Sequence, residues 1–155
     1  MTHAPSGSDA YVDLVAEGDW EHVAANMREA DVREVTALGS TPAKALHGSV
    51  ALSRVAFTIR HADEPVGMFG ACDQGAVWML GTSGIQAIRF RFLRQSRPWL
   101  NLLHSASPVL WNWVDARNDL HIRWLKWLGF RFHGERPYGV NGETFRYFDR
   151  RYEHV

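Results

Sequence analysis

At 155 residues, the chain is long enough to bury a hydrophobic core as one domain without disulfides or a structural metal. Its 17 basic and 17 acidic side chains cancel, so net charge gives no indication of binding to nucleic acid or to an anionic membrane. The single cysteine, Cys72, excludes an intramolecular disulfide framework. No apolar run is long enough to span a bilayer and no signal-peptide pattern follows Met1, so we expect neither a membrane protein nor a secreted one.

The first nine residues are small and polar, so we expect a disordered tail over residues 1–9 and one domain over residues 10–155. Residues 11–16 have the apolar content of a short first strand. Asp19 is a good N-cap residue, and it predicts a helix that begins at Trp20.

Two further helices are predicted before the pattern changes. One covers residues 31–38 and is ended by Gly39. The other begins at Thr41-Pro42, where an N-cap residue is followed by proline at the first helical position, and it runs to about Ser53.

The centre of the chain alternates apolar and polar residues with a period of two, which predicts β-strands. Turn sequences separate three such strands, so we expect an antiparallel meander over residues 55–60, 66–71 and 76–80. Residues 85–105 then favour a helix with a break at Pro98.

Residues 111–130 combine a strand, a loop and an amphipathic helix that ends at Gly129. The strand, expected over residues 109–115, alternates the directions of its side chains. The helix, expected over residues 119–128, places leucine and isoleucine three residues apart on one face, which is the spacing of a helix that packs on a core. Asn118 falls between the two elements, where its amide can satisfy backbone groups that the end of the strand leaves free.

A hairpin of strands over residues 131–136 and 143–150, joined by a Gly-Val-Asn-Gly turn, completes the pattern. The order is therefore a strand, helices, three antiparallel strands, a helix, a strand, a helix and two strands. That order is typical of an α+β fold, a sandwich in which helices flank one mixed central sheet of about six or seven strands.

The segment at residues 111–130 resembles the closing signature of the Gcn5-related N-acetyltransferase (GNAT) superfamily. Asn118 stands where that signature has an Asn in the splay after the fifth strand, and Gly129-Phe130 leads into the sixth. The segment is also similar to one phage family, the internal virion protein A type, whose members carry a similar Leu-Trp-Asn-Tyr/Trp strand and His-Ile-Arg-Phe/Trp-Leu-Lys helix. The resemblance implies a GNAT-like fold and a phage or prophage protein of the host cytoplasm or the virion.

The superfamily resemblance implies that acetyl-CoA lies in the splay between the fourth and fifth strands, with its pyrophosphate at the next helix N-terminus. The loop there reads Gly81-Thr82-Ser83-Gly84 and departs from the superfamily's usual spacing. Its glycines permit close approach of a ligand and its hydroxyls can donate hydrogen bonds, whereas an ordinary turn and helix N-cap is the alternative. The residues expected to contact acetyl-CoA are Met79, Leu80, Gly81, Thr82, Ser83, Gly84, Ile85, Arg89, Asn118 and Trp124.

A run of arginines without an intervening acid follows this loop. Arg89 is the first, and Arg91, Arg94 and Arg97 recur every three residues, which predicts one basic stripe on a helix. Guanidinium groups pair bidentately with phosphate, so the stripe suits the 3′-phosphate of CoA or another anion; a solvated helix face is the alternative. Because the stripe is short and the chain is neutral, we do not expect nucleic-acid binding.

The superfamily's commonest general acid is a tyrosine seven residues beyond the splay Asn, and Leu125 stands at that position. The candidate catalytic residues are His121, in the first turn of the last helix, and Asp115; a histidine bonded to the preceding loop is the alternative. The histidines lack metal-ligand spacing, so no metal is expected. Three further carboxylates near the expected cleft are candidate bases: Asp119, Glu135 and Glu143.

Two functions stay open at this stage. The first is an acetyl-CoA-dependent N-acetyltransferase that transfers an acetyl group directly to an amine, and the retained Asn118 favours it. The second is a catalytically silent protein of the same fold that is an internal virion or assembly component, or that binds a host protein. The missing tyrosine and the irregular loop favour this second function. Trp99 and Trp127 are expected to be partly exposed and to mark a partner surface.

Overall fold

The computed structural model describes residues 10–152, without the side chains of residues 89–93 and 96. The tail expected at residues 1–9 therefore lies outside the described residues. The strands are β1 (Ala10–Leu14), β2 (Ser53–His61), β3 (Glu64–Cys72), β4 (Val77–Gly81), β5 (Val109–Asp115), β6 (Arg131–Pro137) and β7 (Thr144–Arg151). The helices are α1 (Asp19–Ala25), α2 (Glu29–Ala37), α3 (Pro42–Leu52), α4 (Ile85–Arg94), α5 (Ser96–Leu103) and α6 (Asp119–Trp127).

The strands form two antiparallel sheets, of order β1-β2-β3-β4 and β5-β7-β6. Within residues 10–152 the sheets share one backbone bridge, a parallel pairing of Ala76 with Trp111 in which the Trp111 N–H donates to the Gly75 carbonyl at 2.9 Å. Beyond this bridge β4 and β5 diverge into a splay. The predicted α+β, GNAT-like fold is confirmed, and the parallel component of the expected mixed sheet resides in that single bridge.

Helices pack on both faces of the sheets. On β3, Phe69 points into a core shared with α4, α5 and α6, while its neighbour Met68 points into a second core under α1 to α3. The predicted apolar face of α6 is confirmed, because Ile122, Leu125 and Leu128 are all buried. Among residues 10–152, no helix combines the length and apolar character needed to cross a membrane.

Two helix starts illustrate local and long-range control of the fold. Thr41 caps α3 as predicted, since its Oγ1 accepts from the Lys44 N–H at 3.2 Å. The prediction that Asp19 caps α1 is wrong: Gly18 occupies the N-cap at φ 88°. The buried Asp19 carboxylate instead accepts hydrogen bonds from Thr58 at 2.7 Å and from Arg60 at 2.8 and 3.0 Å. The charge-assisted hydrogen bonds of Asp19 with Arg60 inside the protein stabilise the fold more than a solvent-exposed helix N-cap would.

The helical region after β4 also differs from the prediction. The break falls at Gln95 rather than at Pro98, which lies in the first turn of α5, where the missing N–H has no intrahelical partner to lose. The break places Arg94 and Arg97 on different helices, so the predicted continuous stripe is wrong. The expected exposure of Trp99 is also wrong: its ring is 6% exposed and lies 4.6 Å from that of Phe69.

Candidate functional site

The predicted cofactor residues meet where β4 and β5 diverge, at the N-terminal end of α6. A segment that the sequence did not assign to the site also reaches this point. Met27, just before α2, forms an isolated bridge with Thr82, and the Arg28 N–H donates to the Gly81 carbonyl at 2.8 Å. The α1–α2 connection therefore covers the end of β4.

Asn118 is the centre of a buried polar network at this junction, with 1% of its surface exposed. Its Nδ2 donates to Asp31 at 3.0 Å, and its Oδ1 accepts from the Arg28 guanidinium. Asp31 also accepts from the Gly81 N–H at 2.9 Å, and Arg28 Nε lies 3.1 Å from its Oδ2. The Asn118 side chain makes no helix-cap bond, so the prediction that it satisfies the strand-end backbone is wrong. It cross-links α2, β4 and α6 instead.

Most backbone N–H groups of the loop expected to cradle a pyrophosphate already donate to acceptors inside the chain. The Thr82 N–H donates to the Val66 carbonyl at 2.9 Å, and the Gly84 N–H donates to the Thr82 hydroxyl at 3.2 Å. The six N–H groups with acceptors inside the chain belong to Gly81, Thr82, Gly84, Ile85, Gln86 and Ala87. An anion at this loop has to compete with those bonds.

The two glycines of the loop serve close packing. A Cβ at Gly84 would lie 2.9 Å from a Val66 methyl group, and one at Gly81 would lie 3.0 Å from the Val66 carbonyl and 3.1 Å from Ile85. The space that glycine leaves open is therefore filled by β3 and α4. This supports the turn alternative for the loop.

Two small cavities border the splay among the described residues. A cavity of about 30 Å³ borders Met79, His121 and Trp124, and a second of about 10 Å³ borders Arg28 and Asp31. One water needs roughly 10–15 Å³, so the two cavities together have room for a few waters. Trp124 is 3% exposed and Leu80 is 5% exposed, both as parts of the core. Neither of these two cavities has room for acetyl-CoA in this conformation.

Glu34 on α2 is a member of the site that the sequence analysis missed. Its Oε1 accepts from the Asp115 N–H at 2.8 Å, and its Oε2 lies 3.9 Å from Nδ1 of His121. Burial, reinforced by the charges of Asp31 and Asp115, raises the pKa of Glu34 to about 8. The sequence could have indicated Glu34 by its position, because it lies three residues after Asp31 and next to Val35, on the inward face of α2.

The two candidate catalytic residues, His121 and Asp115, both neighbour Glu34 but are electrostatically unlike. Burial lowers the pKa of His121 to about 4; Asp31 opposes this shift and Arg28 adds to it. Burial raises the pKa of Asp115, but hydrogen bonds from Arg117, at 2.7 and 3.0 Å to its side chain, outweigh this, and the net pKa is lowered. His121 is neutral at pH 7, and Asp115 is an ion-paired carboxylate.

The remaining candidates lie elsewhere. The Arg89 side chain is outside the described residues. Asp119 is exposed, Glu135 pairs with Arg146, and Glu143 accepts from the Asn141 N–H at 2.8 Å. None of these three carboxylates lines either cavity of the splay.

Asp31, Glu34 and His121 bring three possible metal-ligand atoms within 4.8 Å of one another. Sequence spacing did not reveal this group because it is assembled from α2 and α6. Both carboxylate oxygens of Asp31 already accept hydrogen bonds, and the Arg28 guanidinium supplies the adjacent positive charge. The Asp31 carboxylate is thus already paired with the Arg28 guanidinium, which takes the place that a metal cation would occupy. The expectation that the protein binds no metal stays a prediction.

Several solved acetyltransferases share this architecture. Ard1 from Thermoplasma volcanium is 16% identical, with a TM-score of 0.69 and coverage of 94% of this chain and 99% of its own. The ribosomal-protein-S18-alanine N-acetyltransferase from Escherichia coli is 14% identical, with a TM-score of 0.67 and coverage of 95% and 96%. Aminoglycoside acetyltransferase AAC(6′)-Ib, solved in complex with coenzyme A, is 16% identical, with a TM-score of 0.64 and coverage of 92% and 95%. At these identities the likeness shows the fold.

The sequence itself matches a different kind of protein. A family model described as bacteriophage T7, probable scaffold protein Gp13, matches residues 56–136, which is more than half of the 155-residue chain. No curated protein matches the sequence. The matched residues run from within β2 to within β6 and therefore include both sides of the splay.

Proposed function

The chain belongs to the family described as bacteriophage T7, probable scaffold protein Gp13, and we propose that it is a catalytically silent component of phage assembly or of the virion. In this proposal the acetyltransferase fold is a structural framework. The resemblance of residues 111–130 to the internal virion protein A type supports the same role.

The observation that carries the proposal is the closed splay. Arg28, Asp31 and Asn118 connect the elements that would have to part around a cofactor, and the buried Trp124 occupies the space between them. Opening this region means separating a buried ion pair, whose isolated charges are several kcal/mol less stable inside the protein.

The candidate acid–base groups support the same conclusion. Leu125, at the position of the superfamily's usual tyrosine, is 5% exposed within the core and carries no proton to donate. Asp115 is a weakened base because its pKa is lowered. His121 is neutral, but its low pKa of about 4 makes it a poor acceptor of an amine proton.

Ligand-dependent thermal stability tests the proposal. A cofactor present at a hundredfold excess over its Kd stabilises by about 2.7 kcal/mol, which raises the melting temperature of a domain of this size by roughly 5–10 °C. We expect no such shift with acetyl-CoA or CoA at millimolar concentration, whereas an active acetyltransferase of the same fold, used as a positive control, shows it. A comparable shift for this chain would overturn the catalytically silent assignment.

The assembly role has its own test. Quantitative mass spectrometry of purified particles and of assembly intermediates is expected to detect the protein in at least one of them. Its absence from both would refute the assembly role, whatever the outcome with acetyl-CoA.

An acetyl-CoA-dependent N-acetyltransferase is the second candidate. The observation that favours it is the likeness to an acetyltransferase solved with coenzyme A. It predicts that acetyl-CoA binding separates α6 from β4, and it is the candidate that a thermal shift would select.

A further inference from the structure

An open groove lies at the opposite end of α6 from the splay. It has a volume of about 930 Å³, roughly thirty times that of the larger splay cavity. The C-terminus of α6, the α4–α5 junction and the ends of β6 and β7 surround it. Five arginines line it: Arg94, Arg97, Arg131, Arg150 and Arg151.

The positive charge of this groove is largely uncompensated. Among the described residues that line it, the one carboxylate is that of Asp149, whose Oδ1 lies 2.7 Å from Nε2 of His133. Four arginines are exposed and have no acidic partner within residues 10–152: Arg94, Arg97, Arg131 and Arg151. A net positive groove in a chain of zero net charge is a segregated charge distribution, which favours an anionic partner at this place.

The fifth arginine is held in a fixed position. Arg150 Nε donates to the Leu128 carbonyl at 3.0 Å, and its Nη1 lies 2.8 Å from Nε2 of His104. Burial lowers the pKa of His104, the hydrogen bond to the Ser107 carbonyl opposes the shift, and the charge of Arg150 adds to it. A neutral His104 therefore accepts from Arg150 while its Nδ1–H donates to Ser107. The guanidinium is preorganised at the end of α6.

The groove also offers apolar surface. Trp127 is 65% exposed on its rim, and the buried Leu100 and Leu128 lie at its base. Exposed tryptophan beside arginine is the composition of protein-binding hot spots, in which an apolar anchor is surrounded by charged hydrogen bonds. The predicted exposure of Trp127 is confirmed.

We propose that this groove binds an acidic polypeptide segment of another assembly protein, with carboxylates on the exposed arginines and one apolar side chain against Trp127. This inference rests on the proposed assembly role. Single-stranded nucleic acid fits less well, because it needs a succession of stacking aromatics along a basic track, and among the described residues that line this groove Trp127 is the one Trp, Tyr or Phe.

Fluorescence anisotropy with a labelled synthetic peptide tests the proposal. The probe is a peptide of about ten residues, rich in Asp and Glu with one central Leu, and binding is expected to weaken as salt is added. The double variant Arg97→Glu/Arg131→Glu is expected to weaken binding at least about tenfold. The matched control, Arg33→Glu/Lys44→Glu, makes the same change in net charge on exposed residues of α2 and α3, and is expected to change binding less than about twofold.

Three outcomes would overturn the proposal: no peptide binding at millimolar concentration, equal loss in both double variants, or tighter arginine-dependent binding of an oligothymidylate than of the peptide. Circular dichroism of each variant shows whether it is folded, and the single variant Arg151→Glu provides a second measurement if Arg131→Glu disturbs β6. If the protein is found in particles but does not bind the peptide, only the proposed binding role of the groove is refuted. If the protein binds the peptide but is absent from particles and from assembly intermediates, only the proposed assembly role is refuted.

Discussion

The two ends of α6 present opposite environments. At the N-terminal end, Asn118 is buried, and the oxygen and nitrogen of its side-chain amide bond to Arg28 and Asp31 at the start of α2. At the C-terminal end, Trp127 is exposed beside arginines that have no acidic partner among the described residues. Satisfied polar groups hold elements together, whereas unsatisfied surface charges are available to a partner. The comparison separates the part of the fold that provides stability from the part that is open to binding.

The largest expected effect is at the closed end. Arg28→Met leaves Asp31 buried without its cation, and we expect a loss of about 3–5 kcal/mol in the free energy of unfolding. Urea denaturation at pH 7 measures it. The control is Arg123→Met on the exposed side of α6, for which the change is expected to be within about 0.5 kcal/mol. Equal losses of the free energy of unfolding in the two variants would contradict a stabilising role for the closed end of α6.

The next largest expected effect is the change of the free energy of unfolding with pH. Folded Glu34 keeps its proton up to about pH 8, whereas the unfolded chain releases it near 4.5, so its stabilising contribution is complete below 4.5 and lost as pH rises through 8. We expect a loss on the order of 3 kcal/mol across this window. Glu34→Gln should abolish that slope, as measured by urea denaturation at about pH 5 and about pH 9.

The titration of His121 has the opposite effect: it makes the free energy of unfolding fall as the pH is lowered into the acidic range. Its folded pKa of about 4 lies below the ordinary 6.5, so its contribution is complete above 6.5 and is lost as pH falls through 4. The difference between wild type and Glu34→Gln isolates the glutamate, because both proteins retain His121. A slope that is unchanged in the variant would contradict the assignment to Glu34.

Asn118→Ala is expected to have an intermediate effect. It removes the hydrogen bond that Asn118 Nδ2 donates to Asp31 and the one that Asn118 Oδ1 accepts from Arg28, and we expect about 2 kcal/mol of destabilisation. If Asn118 instead serves a cofactor, the substitution leaves stability unchanged and lowers acetyl-CoA affinity. Chemical denaturation distinguishes the two, with Asn101→Ala on the exposed side of α5 as the control.

The smallest effect on stability is expected at the open end. Trp127→Ala removes a mostly exposed ring, so the free energy of unfolding should change by less than about 0.5 kcal/mol, while affinity for the acidic peptide falls about tenfold. Trp124→Ala, three residues earlier on α6, should destabilise by about 3–5 kcal/mol because that ring is buried. Thermal melts and anisotropy on the same samples test the pair. Loss of stability without loss of peptide affinity in Trp127→Ala would contradict the comparison.

Local signals in the sequence were sufficient for the order of elements. The Thr41-Pro42 start and the apolar face of α6 depend on neighbouring residues, and both are confirmed. The cap predicted at Asp19 failed because its partner Arg60 lies 41 residues away. Helix-start signals compete with such distant ion pairs, which the local pattern does not record.

The site was predictable in position but not in composition. The segment at residues 111–130 placed Asn118 correctly in the splay. Its partners Asp31 and Arg28 lie 87 and 90 residues away and read in sequence as the polar start of a surface helix. The groove was hidden for a related reason: its arginines come from four elements, and the balanced total charge conceals their grouping.

The single bridge between Ala76 and Trp111 gives the molecule a direction of mechanical weakness. Tension across the seam between the two sheets acts on that bridge, on the bond from Asn112 Nδ2 to the Val77 carbonyl at 2.6 Å, and on the bond from Trp111 Nε1 to the Gln74 carbonyl at 2.9 Å. Tension along either sheet is shared by complete ladders of backbone bonds loaded in shear. The join between the two sheets therefore depends more on side-chain contacts, including those of Asn118 with Arg28 and Asp31 and the apolar core that both sheets share, than on backbone pairing.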